Sequence, residues 1–266
     1  MVYLVVFISG LLFGSFANVC IYRIPLRQSI LVPSSHCPQC RKKIAWFDNI
    51  PLLSYVLLSG RCRHCGGEIS WQYPLIEVLT GVLFVPVYAK FGFHFVSAIF
   101  LLFTLLLVIA SGIDARLRII PDKISFSLMA AGVLFSPFNS FLAMSVPLLL
   151  PGMIANAVFS LSSILLSAGI LYLIAVLGEK IFKKEAMGGG DIKLIAGIGA
   201  FTGIINVLWV IMLASLLGGA VGSILLLCGK KKRFETIPFG PYLCIASLVV
   251  VLAQPHLDEW YGSLFR

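Results

Sequence analysis

The sequence has little charge: only 12% of its 266 residues are charged, where soluble domains have about 25%. In contrast, 59% of the residues are hydrophobic and the mean hydropathy is +1.02. The shortage of charge extends along the whole chain, so a single soluble core cannot bury this much apolar surface. This composition excludes an ordinary soluble domain. It is typical of transmembrane helices, each of which needs about 20 apolar residues.

Acidic residues are the scarcest charged group, with 11 Asp and Glu against 20 Lys and Arg, and the pI is 9.3. In a soluble protein such an excess of basic residues suggests nucleic-acid binding. Here the basic residues lie in loops between apolar segments, where they set the orientation in the membrane. We therefore expect the lipid bilayer, and no nucleic acid, as the partner of this positive charge.

A cleavable signal peptide is also absent from the sequence pattern. Residues 1–22 are apolar, but no basic segment precedes them, and the first basic residue, Arg23, follows the run. No small-residue cleavage site is evident. We expect residues 1–22 to be a retained first transmembrane helix with its N-terminus outside.

Long apolar segments make up most of the chain. They predict an all-α polytopic membrane protein with about eight transmembrane helices. The last stretch before the final segment, 193–228, is too long for one helix and predicts two helices joined by a tight turn. The predicted spans lie near 1–22, 73–91, 95–113, 124–142, 152–178, 193–208, 207–228 and 238–254.

The positions of Lys and Arg predict the orientation of these spans. Eighteen of the 20 basic residues fall in alternate loops, and only Lys90 and Arg266 fall on the opposite side. Basic loops are retained in the cytosol. Both termini are therefore predicted to be outside, with each odd-to-even loop cytosolic.

The one polar segment of domain-like length is 23–72, which divides the chain into helix 1–22, a cytosolic insert 23–72 and a membrane domain 73–266. The insert carries two Cys-x-x-Cys pairs, Cys37-Pro-Gln-Cys40 and Cys62-Arg-His-Cys65. Two such pairs can surround one tetrahedral metal ion, and disulfides are rare in the reducing cytosol. We predict a structural zinc ion on four thiolates. The alternative is four reduced cysteines without a ligand.

Two carboxylates at predicted helix ends are the candidate catalytic groups. Asp114 follows the third span, and Asp191 precedes the sixth in Met187-Gly-Gly-Gly-Asp191. The predicted topology places both at the cytosolic face at similar depth, where ionisable groups are costly and often functional. Two adjacent carboxylates share a proton, so that one acts as an acid and the other as a base. Such a pair can activate water against a peptide carbonyl.

Structural alternatives to catalysis remain open at these positions. Asp114 could pair with Arg116 or Arg118, and Asp191 could cap its own helix. Asp122, after Pro121, is a predicted N-cap of the fourth span. The role of Glu77, one turn into the second span, is left open by the sequence.

At these residues the chain resembles the bacterial type IV prepilin peptidases, a family of Gly-x-Gly-Asp aspartyl proteases that are also N-methyltransferases. The resemblance covers nearly the whole length and rests on motifs that occur in the family's order. These motifs are Gly14-Ser-Phe-Ala-Asn18, Tyr22-Arg23-Ile-Pro25, the two cysteine pairs, Asp48-Asn-Ile-Pro51, Tyr73-Pro-Leu-Ile-Glu77, Asp114 with Ile120-Pro-Asp122, Gly188-Gly-Gly-Asp191 and Pro238-Phe-Gly-Pro241.

The resemblance implies that Asp114 and Asp191 form the protease dyad of the membrane domain, in the inner membrane of a bacterium. The implied substrates are prepilins or pseudopilins of type IV pilus and type II secretion systems, cleaved after a Gly that follows a basic leader. The new N-terminal residue is then methylated from S-adenosylmethionine, in association with the insert. Our candidates for methyl transfer are Gly14, Ser15, Asn18 and Arg23. Helix packing for Gly14 and Ser15, and an interfacial anchor for Arg23, are the structural alternatives.

Two other functions compete with this interpretation. An ion-coupled transporter also carries carboxylates at membrane depth, but internal repeats, which would favour one, are not convincing here. A peptidase without methyl transfer would keep the insert as a structural module.

Overall fold

The computed structural model describes residues 1–32, 34–143, 152–183, 187–229 and 238–264. Within these ranges all extended regular elements are helices, and no strand is formed. The only β-type pairs among them are two isolated bridges, His36 with Lys43 and Arg61 with Glu68. The all-α prediction is therefore confirmed. The chain divides into two compact units, Met1–Gly112 and Ile113–Arg266.

The first unit is built on a pair of apolar helices, α1 (Val2–Arg23) and α3 (Gln72–Phe91), with the short α2 (Leu53–Leu57) in the polar insert between them. Glycines bring the backbones of α1 and α3 into contact. A Cβ atom on Gly10 would lie 2.6 Å from Cα of Gly81, and one on Gly14 would lie 2.7 Å from Cα of Glu77. Small residues of this kind are typical of closely packed membrane helices.

The next helix, α4 (Phe95–Leu117), starts in the first unit and contributes its last residues to the second. The second unit packs its helices around α8, in which every residue from Leu194 to Thr202 is buried. Helices α5 and α7 pack against α8, and α10 packs against α9. The helices of this unit are α5 (Asp122–Phe135), α6 (Ser140–Ala143), α7 (Met153–Phe182), α8 (Gly189–Thr202), α9 (Ile204–Leu227) and α10 (Gly240–Leu264).

The long apolar stretch 193–228 folds as two helices, as its length predicts. Helix α8 ends at Thr202 and α9 begins at Ile204, so that Gly203 alone separates them. Gly203 has a φ of +80°, which L-residues with side chains rarely adopt. One glycine therefore provides the turn.

Five of the described helices, α1, α3, α4, α7 and α9, are long and apolar enough to cross a membrane. Helices α5 and α8 have 14 residues each, and α10 has a shorter apolar segment, Gly240–Gln254. The fourth predicted span, 124–142, is interrupted, since α5 ends at Phe135 and a 3-10 turn follows it. A membrane protein is confirmed, and the number of about eight crossings stays a prediction.

The orientation in the membrane and the division into 1–22, 23–72 and 73–266 stay predictions as well. Several of the basic residues on which the orientation depends lie outside the described residues, namely Lys184, Lys230, Lys231, Lys232, Arg233 and Arg266.

Candidate active site and metal centre

Asp114 lies in the last turn of α4 and is buried, with only 5% of its surface exposed. Its Oδ2 atom accepts a 2.9 Å hydrogen bond from the backbone N–H of Gly240, the first residue of α10. The first N–H groups of a helix have no partner within the helix, and they carry its positive dipole end. The start of α10 thus provides a donor for this carboxylate.

The position of Gly240 admits no larger residue without movement. A Cβ atom there would lie 2.7 Å from Oδ2 of Asp114, which is shorter than any ordinary contact. The sequence showed Pro238-Phe-Gly-Pro241 as a family motif but did not indicate that its glycine contacts Asp114.

Asp191 is the third residue of α8 and therefore lies at the start of a helix, whereas Asp114 lies at the end of one. It lies near enough to Asp114 for the two carboxylates to repel each other. The N-cap of α8 is Gly188, and the Asp191 carboxylate accepts a hydrogen bond from the backbone N–H of this residue. Asp191 thus makes a capping contact at the start of its own helix, which is the structural alternative that the sequence left open. The structure brings together the two acids that the sequence singled out.

The glycines before Asp191 have two different surroundings. A Cβ atom on Gly190 would lie 3.1 Å from Cβ of Ile120, so that Gly190 allows the start of α8 to pack on this residue. Among the described residues, no atom lies within 4 Å of a Cβ atom placed on Gly189. The backbone beside Asp191 is therefore packed on one side and accessible on the other.

Asp122 does not cap α5, so this prediction was wrong. The N-cap is Pro121, and Asp122 is already the first helical residue. Its side chain instead accepts a 2.7 Å hydrogen bond from Nζ of Lys193 in α8. Sequence reasoning missed this ion pair, because the two residues are 71 positions apart. It ties the start of α5 to the start of α8, two residues after Asp191.

The four cysteines of the insert lie together as one cluster of candidate metal ligands. The Sγ atoms of Cys37, Cys40, Cys62 and Cys65 all lie within 4.8 Å of one another. Backbone hydrogen bonds from Cys65 and His64 lower the pKa of Cys62 to about 7, whereas burial and the neighbouring thiols raise the pKa of Cys65 to about 11. The donor set and its spacing fit a zinc knuckle pair.

The two halves of the cluster have the same backbone hydrogen bonds. Cys37 N–H donates to the carbonyl of Lys42, and Cys62 N–H donates to that of Gly67. In each half, the carbonyl of the first cysteine also accepts a hydrogen bond from the N–H of the residue four positions later. This residue is Arg41 in the first half and Gly66 in the second, and both have positive φ. The second knuckle has a glycine at this position, whereas the first has an arginine in the same conformation.

An ion pair braces the second knuckle. The Arg63 guanidinium donates hydrogen bonds to both carboxylate oxygens of Asp48, and the shortest are Nε to Oδ2 at 2.8 Å and Nη2 to Oδ1 at 2.6 Å. The hydrogen bonds from Arg63 hold the pKa of Asp48 below its usual range. Asp48 belongs to a 3-10 turn, Trp46–Asn49, which is thereby linked to the cysteine cluster.

Glu77, whose role the sequence left open, links the insert to the helix pair. Its buried carboxylate accepts a 2.8 Å hydrogen bond from the backbone N–H of Leu52 and another bond from the Ser15 hydroxyl. Leu52 has a φ of +60°, a conformation that costs free energy in a non-glycine residue. The bond to Glu77 holds this turn of the insert against α1 and α3.

A cavity of about 730 Å³ opens between α1 and the insert. Of the four candidates for methyl transfer, Ser15 and Arg23 line it. Gly14 lies at the contact with α3, and Asn18 Nδ2 donates a 3.0 Å hydrogen bond to the carbonyl of Tyr73. The predicted set thus covers two faces of α1, one toward the cavity and one toward α3.

Comparisons with known proteins agree with this arrangement. Residues 8–91 match the bacterial peptidase A24 N-terminal domain, and residues 101–223 match the type IV leader peptidase family. A protein from Xanthomonas campestris pv. campestris named prepilin leader peptidase/N-methyltransferase is 36% identical, over 95% of this chain and 91% of its own. Proteins of the same name from Myxococcus xanthus and Neisseria gonorrhoeae are 39% and 34% identical, over 96% and 93% of this chain and 73% and 89% of their own.

No solved structure matches the chain. The first matched region lies in the first compact unit and most of the second lies in the second unit, and the relatives match nearly the whole chain. The chain belongs to the type IV leader peptidase family.

Proposed function

We propose that the protein cleaves the leader peptide of prepilins or pseudopilins and methylates the N-terminal amine that cleavage exposes. The names of its relatives and the family match support both activities. The observation that carries the peptidase is the buried Asp114, held by the N–H of Gly240 beside Asp191.

In the proposed reaction the two carboxylates hold one proton between them. The ionised carboxylate takes a proton from water, whose oxygen attacks the peptide carbonyl, while the protonated one donates to the carbonyl oxygen. The tetrahedral intermediate collapses as the C–N bond breaks, and the amine leaves with a proton from the dyad. This chemistry requires only the two acids and one water molecule.

The helix ends that carry the dyad suit a substrate whose own helix lies in lipid. Asp114 ends α4 and Asp191 begins α8, so both acids lie at the ends of apolar segments. The space beside Gly189 leaves room for an extended peptide next to Asp191. We propose that the scissile bond, after the Gly that ends a basic leader, lies there in extended form.

The cysteine cluster is proposed to hold zinc in a structural role. Four protein ligands leave no position for water or substrate. The insert is short and its surface is largely exposed, so that a metal ion is the expected source of its stability. Zinc ligated by Cys37, Cys40, Cys62 and Cys65 would hold the two knuckles together.

Methyl transfer is proposed to use the first unit, with S-adenosylmethionine as donor. When bound, this group would supply a methyl group to the pilin amine, which would lose a proton, and it would leave as the neutral thioether. Ser15 and Arg23 are the proposed donor contacts, and Gly14 and Asn18 hold α1 against α3.

The proposed location is the bacterial inner membrane, with both termini outside and the dyad at the cytosolic face. The basic loops support this orientation. A substrate with a basic leader would meet the protein from the cytosol, where the leader remains.

Mass spectrometry of a purified prepilin incubated with the protein and S-adenosylmethionine tests both activities. We expect loss of the leader and a mass gain of about one methyl group, neither of which Asp191→Asn should produce. Cleavage without methylation would contradict the second activity only. Failure to cleave any prepilin or pseudopilin tested would overturn the proposal and favour the transporter.

A further inference from the structure

The cavity of the first unit has the size and walls of a small-molecule site. Its volume of about 730 Å³ falls within the range of about 300–1,000 Å³ that is usual for ligand pockets. One side is a face of α1 formed by Leu12, Ser15, Phe16, Val19 and Arg23. These residues recur at helical spacing. The remaining walls come from the insert, on both sides of its first cysteine pair.

Arg23 is the one deeply buried charge in this cavity wall, with 7% of its surface exposed. Its NH1 atom donates a 3.1 Å hydrogen bond to the carbonyl of Ser29. An arginine has five N–H donors in a planar fork that matches a carboxylate. Within the described chain no acidic residue lines the cavity, and Lys43 adds a second positive charge. A ligand that satisfies this guanidinium must therefore bring its own anion.

Aromatic side chains provide the complementary surface. Phe16 and Trp46 both line the cavity, and Trp46 is 82% exposed in spite of its size. Exposed tryptophans in a concave site are typical ligand contacts, because the indole offers both a flat apolar face and attraction for a cation. The cavity thus combines a site for an anion with a surface for a flat ring or a cationic centre.

These features match the three parts of the methyl donor, which are an amino-acid carboxylate, a sulfonium and an adenine ring. We infer that S-adenosylmethionine binds in this cavity, with the Arg23 guanidinium paired to its carboxylate and Trp46 against its ring or sulfonium. The inference rests on the proposed methyltransferase function. Beyond the two donor contacts named there, it assigns the carboxylate of the donor to Arg23 and the ring or sulfonium to Trp46.

The pocket wall opposite α1 includes Asn49 and Pro51, which belong to the turn that Glu77 holds through Leu52. Ser15, which lines the cavity, donates to the same carboxylate. Glu77 is thus a positioning residue, which fixes both walls of the cavity without contacting the ligand.

Binding can be measured directly on the full-length protein in detergent, with radiolabelled S-adenosylmethionine and with its decarboxylated analogue, which lacks only the carboxylate. The variants are Arg23→Gln, Arg23→Lys and, as a matched control, Arg27→Gln. Arg27 is exposed and is not part of the cavity wall. Loss of a hydrogen bond to a charged group corresponds to roughly ten- to a hundredfold in Kd.

We expect Arg23→Gln to raise the Kd of S-adenosylmethionine at least about tenfold and to leave that of the decarboxylated analogue within about twofold. The Kd of Arg23→Lys for S-adenosylmethionine should lie between those of the unaltered protein and Arg23→Gln, since lysine keeps the positive charge but lacks the planar array of N–H donors. Arg27→Gln should bind both as the unaltered protein does. The analogue serves as the folding control, because a collapsed cavity would lose both ligands.

Equal affinity of the unaltered protein and Arg23→Gln for S-adenosylmethionine would overturn the inference, and so would an equal loss of both ligands. If the unaltered protein binds no S-adenosylmethionine but still cleaves prepilin, the methyltransferase proposal itself fails, which is a different result. Quenching of tryptophan fluorescence by the donor, absent in Trp46→Phe, is a second readout that involves no turnover.

Discussion

The backbone N–H of Gly240 donates a 2.9 Å hydrogen bond to Oδ2 of Asp114 across 126 residues of sequence. This contact joins the start of α10 to the end of α4 at the proposed catalytic carboxylate. It gives a function to the last of the family motifs, since only a glycine leaves room for the oxygen it binds.

Gly240→Ala should therefore impair cleavage. The added Cβ atom would lie 2.7 Å from Oδ2, and displacement of a reacting group by about 1 Å can reduce a rate about a hundredfold. Initial rates of prepilin cleavage measure the effect. Gly219→Ala is the matched control, because a Cβ atom there meets nothing within 4 Å. Equal cleavage rates for the two variants would show that the space at Gly240 is not needed for catalysis.

Asp114→Asn and Asp191→Asn should each reduce cleavage by at least about a hundredfold, the usual contribution of a general acid or base. An amide keeps the shape of the side chain but can neither take nor give the proton. Cleavage assays on membranes with equal amounts of each variant test this. Glu179→Gln, at an exposed acid of α7, is the control. A variant of either dyad residue that cleaves at the normal rate would remove that residue from the mechanism.

Cys37→Ser should lower the zinc content of the purified protein and loosen the insert. Cys37 is buried, and its Sγ is one of the four clustered ligand atoms. Three thiolates hold zinc less tightly than four, and the short insert has little core to replace the metal. Elemental analysis and limited proteolysis provide the two readouts. Cys228→Ser, at an exposed cysteine outside the cluster, should leave both unchanged. Full zinc occupancy in Cys37→Ser would refute the four-thiolate site.

Glu77→Ala should destabilise the link between the insert and the helix pair. It removes the acceptor of the Leu52 N–H and of the Ser15 hydroxyl, and an unpaired buried donor costs about 1–3 kcal/mol. We expect faster proteolysis near residues 49–52 and weaker binding of S-adenosylmethionine, while Glu77→Gln should restore part of both. Glu68→Gln, an exposed acid of the insert, is the control. If Glu77→Ala resists protease as well as the unaltered protein does, the hydrogen bonds of Glu77 do not stabilise the insert.

Much of the architecture was evident from the sequence, because membrane helices leave a strong local pattern. A run of apolar residues predicts a helix wherever it occurs, since backbone groups in lipid must be satisfied within one segment. The split of 193–228 into two helices followed from its length, whereas the turn lies at Gly203 and not near residue 207 as predicted. The cysteine cluster was equally predictable, because four ligands at short spacing define a site before any fold is known.

Helix boundaries and side-chain partners were less accessible. The sequence predicted Asp122 as a cap, whereas it pairs with Lys193 of another helix. The sequence pointed to four candidates for methyl transfer on α1, but it did not indicate which of them face α3 and which face the cavity. Glu77 had no assigned role until the turn at Leu52 was seen to contact it.

The sequence by itself determined that this is a helical membrane protein with a cysteine-rich insert, because composition, hydrophobic length and ligand spacing are local properties of the chain. It also singled out Asp114 and Asp191, because acids at the ends of apolar segments are rare and costly. Only the tertiary structure decided that Gly240 holds Asp114, that Glu77 holds Leu52, and that Arg23 faces a cavity. Each of these contacts depends on how separate helices and loops pack, and no local pattern specifies that packing.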